Sequence, residues 1–249
     1  MRLFLHQLRL EQRLFWRSRE LAFFTFLLPI IFLVLLGSAY GDNEVDGVRG
    51  YDFLLAGMLG YGVASTTFAG LAILLVLRRE AGTLKRLRAT PLSARAYVAA
   101  VLGSIILVYL VEAIILVALA KLVFGVEVPD RLVSLALALL LGASAFTALG
   151  VGVTALVRSA EGASAVINAL YLPATFVSGA FFSSESFPEV LQAIAQVLPL
   201  AHFIELVRDV MLADVGVWER PTDVAIIAAW GAAGALAAVR GFRWEPRER

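Results

Sequence analysis

Arg78–Arg95 reads RREAGTLKRLRATPLSAR, and the way this stretch is placed decides the fold. It carries Arg78, Arg79, Lys85, Arg86, Arg88 and Arg95 against a single acid, Glu80. Apolar segments flank it on both sides, Phe53–Leu77 before and Tyr97–Ala120 after, the latter interrupted by one charge, Glu112. A strongly basic loop between two membrane spans belongs on the cytoplasmic side. Leu84 and Leu87 share one helical face, with Ala81 near it and basic residues around. Thr90-Pro91 ends that turn, because proline has no N–H to donate and restricts the residue before it. The pattern predicts a short amphipathic helix over 79–90, lying along the membrane surface. Spacing alone leaves two uses open: a surface for a cytoplasmic partner, or a positive loop that only sets topology.

Working outward, composition agrees with a membrane protein. Of 249 residues, 60% are hydrophobic and 16% charged, against about a quarter charged in a soluble domain. The apolar residues fall in membrane-length runs. The spans expected are 21–40, 53–77, 97–120, 132–157, 162–184 and 223–239, the last near the lower length limit. Residues 1–19 form an amphipathic leader. Arg2, His6, Arg9, Arg13 and Arg17 share one face, and Leu3, Phe4, Leu8, Leu14 and Phe15 lie opposite, as in a helix that rests on lipid headgroups. A secretory signal is the competing reading of 1–40, but leader and apolar run are both longer than that signal requires.

Six spans put both termini on one side. With the N-terminus inside, the 21 Lys and Arg divide into 16 cytoplasmic and five outer. The 20 acids divide into six inside, Glu112 within a span, and 13 outside. The expected location is therefore the cytoplasmic membrane, multi-pass, with cytoplasmic termini. After the fifth span, residues 187–212 hold two apolar amphipathic pieces too short to cross. Pro199 suits the first turn of the second piece. They read as re-entrant or interfacial helices dipping from the outer face. The whole chain, 1–249, is one all-α membrane domain.

Catalytic chemistry is nearly absent from the sequence. There is no cysteine and only two histidines, so no thiol chemistry and no histidine-rich metal site is expected. No phosphate-binding G-x-x-x-x-G-K-[ST] motif occurs. Gly142 to Phe146, Gly150-Val151-Gly152 and the stripe Gly231, Gly234, Ala235, Ala238 read as small residues for close helix packing. Glu112 is the one full charge deep in a span, nine residues from Lys121 and so roughly 13 Å from the outer end. It could serve a proton- or cation-coupled secondary transporter, or form an interhelical hydrogen bond; the lack of a second buried charge favours the latter. Asn168 is its uncharged counterpart on the fifth span. His202, Glu205 and Arg208 follow one helix edge, and an ion pair between Glu205 and Arg208 is expected there.

Two stretches carry a family resemblance. Arg79-Glu80-Ala81-Gly82-Thr83-Leu84-Lys85-Arg86-Leu87 through Pro91 resembles the R-E-x-G-T-L-x-x-L…P pattern of the permeases of ATP-binding cassette type-2 exporters. Phe176-Val177-Ser178-Gly179-Ala180-Phe181-Phe182, then Phe187-Pro188, Leu198-Pro199-Leu200 and Arg208, is similar to that family's closing pattern. The resemblance implies an export permease that is not itself an enzyme and holds no cofactor. It implies two copies of a separate ATPase subunit carrying ATP and magnesium, and a homodimer or a heterodimer with a sister permease. Membrane lipids and an unidentified cargo are the other implied partners; nucleic acid is not. Arg79, Glu80, Gly82, Thr83, Leu84, Leu87 and Pro91 would then form the coupling helix that docks on the ATPase. Phe181, Phe182, Pro188, Pro199 and Arg208 would form the outer gate and re-entrant region.

Overall fold

The computed structural model describes residues 2–41, 43–88, 92–157 and 159–241. Pro91 and residues 242–249 lie outside the described residues, as do the side chains of Leu87 and Arg88. The fold is all-α apart from a two-stranded hairpin, Glu44–Val45 with Val48–Arg49.

The amphipathic leader is helix α1, Arg2–Arg17, and Ser18 breaks it from α2, Arg19–Tyr40. The second span is one continuous helical rod, Gly50–Glu80. It consists of α3 (Gly50–Gly62), a π-helical segment (Val63–Gly70) and α4 (Leu71–Glu80). Gly82, at φ +67°, turns the chain into α5, Thr83–Arg88. A Cβ at Gly82 would meet nothing within 4 Å, so glycine serves the left-handed turn there and not a close approach.

Ser93 caps α6, Ala94–Phe124, by accepting from the Ala96 N–H at 3.2 Å. Gly125 closes it in the left-handed conformation. Helix α7, Leu132–Val153, is followed by α8, Ala160–Val177, which Ser159 caps through the Gly162 N–H. Both helices end earlier than the expected spans 132–157 and 162–184. The Ser178–Ser183 stretch is turn, with Gly179 at φ +79°. Two short helices follow, α9 (Glu189–Ala195) and α10 (Pro199–Leu212), and then α11, Pro221–Gly241.

Among the described residues, five helices are long and apolar enough to cross a membrane: α2, Gly50–Glu80, Arg95–Phe124, α7 and α11. The sequence-based count was six. Helix α8 has 18 residues, but Glu161 and Asn168 leave it less apolar than the other five. The α9–α10 pair is apolar enough jointly, but it bends by 79°.

Small residues set the closest packing, as their spacing predicted. Helices α7 and α11 run against each other along their length. A Cβ on Gly152 would sit 2.7 Å from the Gly234 carbonyl, and one on Gly234 would sit 2.6 Å from the Leu149 nitrogen. Gly142 receives the Phe203 ring of α10, and Gly57 receives the Ala180 carbonyl. The second span lies at the centre: 72% of its most apolar window is buried, against 17% for α2 and for α11.

Candidate functional site

The basic segment meets the spans at the Glu80 end of the second span. Arg78 turns back to α1 in a two-pronged ion pair, Nη2 to Glu11 Oε2 at 2.7 Å and Nη1 to Glu11 Oε1 at 3.0 Å. Its Nη1 also donates to the Tyr97 hydroxyl of α6 at 2.9 Å. Gln7 donates to the same Glu11 carboxylate, and Gln12 donates to the Ser104 carbonyl of α6 at 2.8 Å. Helix α1 is thus fastened to both the second span and α6. Sequence periodicity showed the amphipathic face of α1 but gave no sign that Glu11, only 5% exposed, had a partner 67 residues away.

Arg79, expected on the coupling helix, turns inward in the isolated chain. It is 2% exposed and donates to the backbone carbonyls of Thr154 and Val157 at 3.2 and 2.9 Å. It therefore satisfies two carbonyls in the turn that follows α7, with Glu80 at 3.0 Å as counter-charge. Leu84 also faces inward. It is completely buried, packed with Leu71, Leu75, Tyr97, Val101 and Val151. Its burial contributes about 1.5–3 kcal/mol to holding α5 against the chain's own spans. Among the described residues, Lys85 and Arg86 of α5 and Ala81 before it are exposed, with Glu80, Gly82 and Thr83 partly exposed.

Beside this end lies a cavity of about 590 Å³ between α1, α2, the second span, α6 and α8. Its walls are largely apolar, including Phe24, Leu28, Pro29, Ile73 and Val108, with Ser65, Thr66 and Asn168 as polar points. Glu11 and Arg78 line it as well. Asn168 reaches this space, while Glu112 stands behind its wall, 1% exposed, accepting from Thr66 Oγ1 at 2.7 Å.

The other end is built on the Phe181 turn and the bent pair. Phe181 is 5% exposed and meets Phe32, Tyr61 and Phe176 at ring separations of 5.4, 5.7 and 5.0 Å. Its carbonyl accepts from the Tyr40 hydroxyl, while the Phe182 side chain is exposed. Pro188 precedes α9 as its N-cap, and Pro199 occupies the first turn of α10.

The expected Glu205–Arg208 ion pair is not what holds α10. Among the described residues, the Arg208 guanidinium lies 4.2 Å from the centroid of the Phe53 ring, a cation–π contact. The polar contacts of this region go to α11 and its approach: His202 Nδ1 lies 2.7 Å from Asp223 Oδ1, and Arg220 forms an ion pair with Asp209 at 2.6 Å. His202 Nε2 faces the Gln196 carbonyl at 2.9 Å. The ligand atoms of His202, Glu205 and Asp223 lie within 4.8 Å of one another. The sequence hid this trio, because Asp223 joins it only through folding.

Nearby, Arg131 pairs with Glu219 at 2.7 Å and with Asp214 at 3.3 Å. The Gly216 N–H and then Arg131 hold the Glu219 carboxyl below the usual carboxylate range, and Glu219 in turn raises Arg131.

Comparison with known proteins covers nearly the same ground. A family profile described as "ABC-2 type transporter" matches residues 2–212. Nodulation protein J of Rhizobium meliloti (strain 1021) is 32% identical over 194 residues, which is 74% of this chain and 71% of that protein. Nodulation protein J of Rhizobium leguminosarum bv. trifolii is 33% identical, over 74% of this chain and 71% of that protein. The inner membrane transport permease YhhJ of Escherichia coli (strain K12) is 28% identical, over 67% of this chain and 45% of that protein.

Proposed function

Because this chain belongs to the ABC-2 type transporter family, as a membrane permease subunit with no ATPase domain of its own, we propose that it exports a cargo across the cytoplasmic membrane. ATP and magnesium act in a separate ATPase subunit, present in two copies. The permease pairs with itself or with a sister permease. Both termini and α5 lie in the cytoplasm, on the 16-to-5 division of basic residues, and the Asp42–Asp52 stretch and the α9–α10 pair lie outside. The bent pair is re-entrant and α8 completes six spans, because only an even number keeps both basic ends on one side.

The observation that carries the coupling is the two-sidedness of α5. Leu84 is fixed in the permease core, while Lys85 and Arg86 point away from it. A helix tied to the spans on one face and free on the other can be pushed by a partner and deliver that push to the second span. Closing the ATPase dimer moves α5 and the rod Gly50–Glu80 together, switching the path from inward- to outward-facing. The docking set is therefore Glu80, Gly82 and Thr83 with Lys85 and Arg86, in place of Arg79 and Leu84. The inward end of the path begins at the cavity between α1, α2 and α8.

The test is co-purification of the ATPase with the charge-reversed pair Lys85→Glu and Arg86→Glu. The expected result is a stable, membrane-inserted permease that no longer retains its ATPase. Undiminished recovery of the ATPase would show that α5 only sets topology.

A further inference from the structure

Midway along the second span the backbone departs from α-helix over Val63–Gly70, eight residues of π-helix. Such geometry is rare, is usually confined to a single turn, and gathers at functional positions. No proline causes it here, and glycine stands at each end, Gly62 and Gly70. Side-chain hydroxyls serve the backbone within it, Thr67 Oγ1 donating to the Val63 carbonyl at 2.6 Å.

The segment is gripped from two sides. On α7, Gly150 lies so close that a Cβ there would be 2.8 Å from the Phe68 carbonyl and 3.0 Å from the Thr67 carbonyl. On α6, Glu112 accepts from Thr66 Oγ1 at 2.7 Å. The other carboxyl oxygen, Oε1, is buried with no hydrogen-bond partner among the described residues. It lies against Gly62, where a Cβ would be 2.6 Å away. As a stabiliser this arrangement is poor. One hydrogen bond returns little net stability, while a carboxyl group deep in a membrane span with an unsatisfied oxygen costs more than that. A leucine would fill the space at less cost, so the contact is better explained by the backbone state it selects.

We infer that Glu112 and Thr66 form a clasp that holds the π-helical register of the second span and so sets how movement of α5 reaches the outer half of the protein. Reverting the segment to α-helix shifts the register by one residue, about 1.5 Å along the axis and 100° around it. Everything attached below Gly70, namely α4 and α5, turns against everything above Val63. With the clasp closed, the rod transmits a push from α5 as one piece; with it open, the push is absorbed as a change of register. Thr66 and Glu112 are positioning residues in this scheme. The inference rests on the ATPase-coupled reading above.

The experiment uses the whole permease–ATPase complex, with Glu189→Cys as the only cysteine in the permease chain. Its labelling rate by a membrane-impermeant maleimide is measured without nucleotide and with ATP plus orthovanadate. The parent complex should show a clear nucleotide-dependent change. Thr66→Val, nearly isosteric and lacking the hydroxyl, should lose that change while still retaining the ATPase and hydrolysing ATP. Glu112→Leu provides a second removal of the bond. Thr66→Ser and Glu112→Gln keep a donor and an acceptor, and should restore the nucleotide effect. A Thr66→Val or Glu112→Leu complex that responds as the parent does overturns the clasp, whatever its thermal stability. A parent that forms no complex, or shows no response, overturns the coupled reading itself, and the clasp falls with it.

Discussion

The two ends of the second span are secured by different means. At the α5 end, Arg78 and Arg79 both turn inward, one to Glu11 and Tyr97, the other to the carbonyls that end α7. Leu84 closes that corner with no exposed surface. At the other end, α10 rests on the same rod through Arg208 over the Phe53 ring. Its surroundings are pinned by pairs nearer the surface, Arg220–Asp209 and Arg131–Glu219. Removing one partner of a buried ion pair typically costs about 3–5 kcal/mol, while an exposed pair is worth about 0–1 kcal/mol. The contrast is between an end clamped by buried charge and an end whose pairs lie nearer the surface.

The severest test of the rigid end is Leu84→Asp. It would place an unpaired carboxylate among Leu71, Leu75 and Tyr97, so the expected outcome is loss of folded, monodisperse permease. The measurement is recovery by size-exclusion chromatography in detergent. A well-folded Leu84→Asp protein would break the comparison, because α5 would then be loosely attached. Its neighbour sharpens the point: Lys85→Glu, on the exposed face, should leave that recovery unchanged.

The next effect in size is at Glu11. Glu11→Ala leaves the Arg78 guanidinium, 15% exposed at its side chain, with the Tyr97 hydroxyl and little water to compensate it. The expected loss is about 3 kcal/mol, read as a lowered thermal unfolding temperature in detergent. The double replacement Glu11→Leu with Arg78→Met should recover much of it, since no charge is then stranded. If Glu11→Ala is silent, α1 is held only by its apolar face.

The smallest effect belongs to Glu219→Gln at the other end. Its carboxyl is held low by Gly216 and Arg131, so what it contributes is present above the ordinary carboxylate pKa. That contribution is lost as the pH falls through the lowered folded value. Wild type and variant should therefore differ slightly at neutral pH and converge in acid, measured by unfolding temperature across pH. A large difference at neutral pH would place more of this end's stability in surface charge than the comparison allows.

Sequence alone determined the elements that depend on short-range physics. Apolar runs marked five of the helices that are long and apolar enough to cross a membrane, and Pro199 stands in the first turn of a helix as its chemistry predicts. The stripe of Gly231 and Gly234 foretold close helix packing on α11, though not that α7 would be the partner. The early end of α8 was less visible, because Ser178–Ser183 is as apolar in its surroundings as the helix before it. Only the tertiary structure decided who meets whom. Leu84 reads as the apolar face of a small helix, and nothing in its spacing says whether that face meets a partner or the chain's own core. Arg79 reads as one more cation in a basic loop until α7 ends beside it. Glu11, Asp223 and Thr66 acquire their roles from residues 67, 21 and 46 positions away. Helical periodicity is a local property of the backbone and fixes which side chains share a face. The identity of the opposing surface depends on how the helices pack, and in the second span that packing extends to the backbone itself, holding Val63–Gly70 in a π-helical register that no residue in it demands.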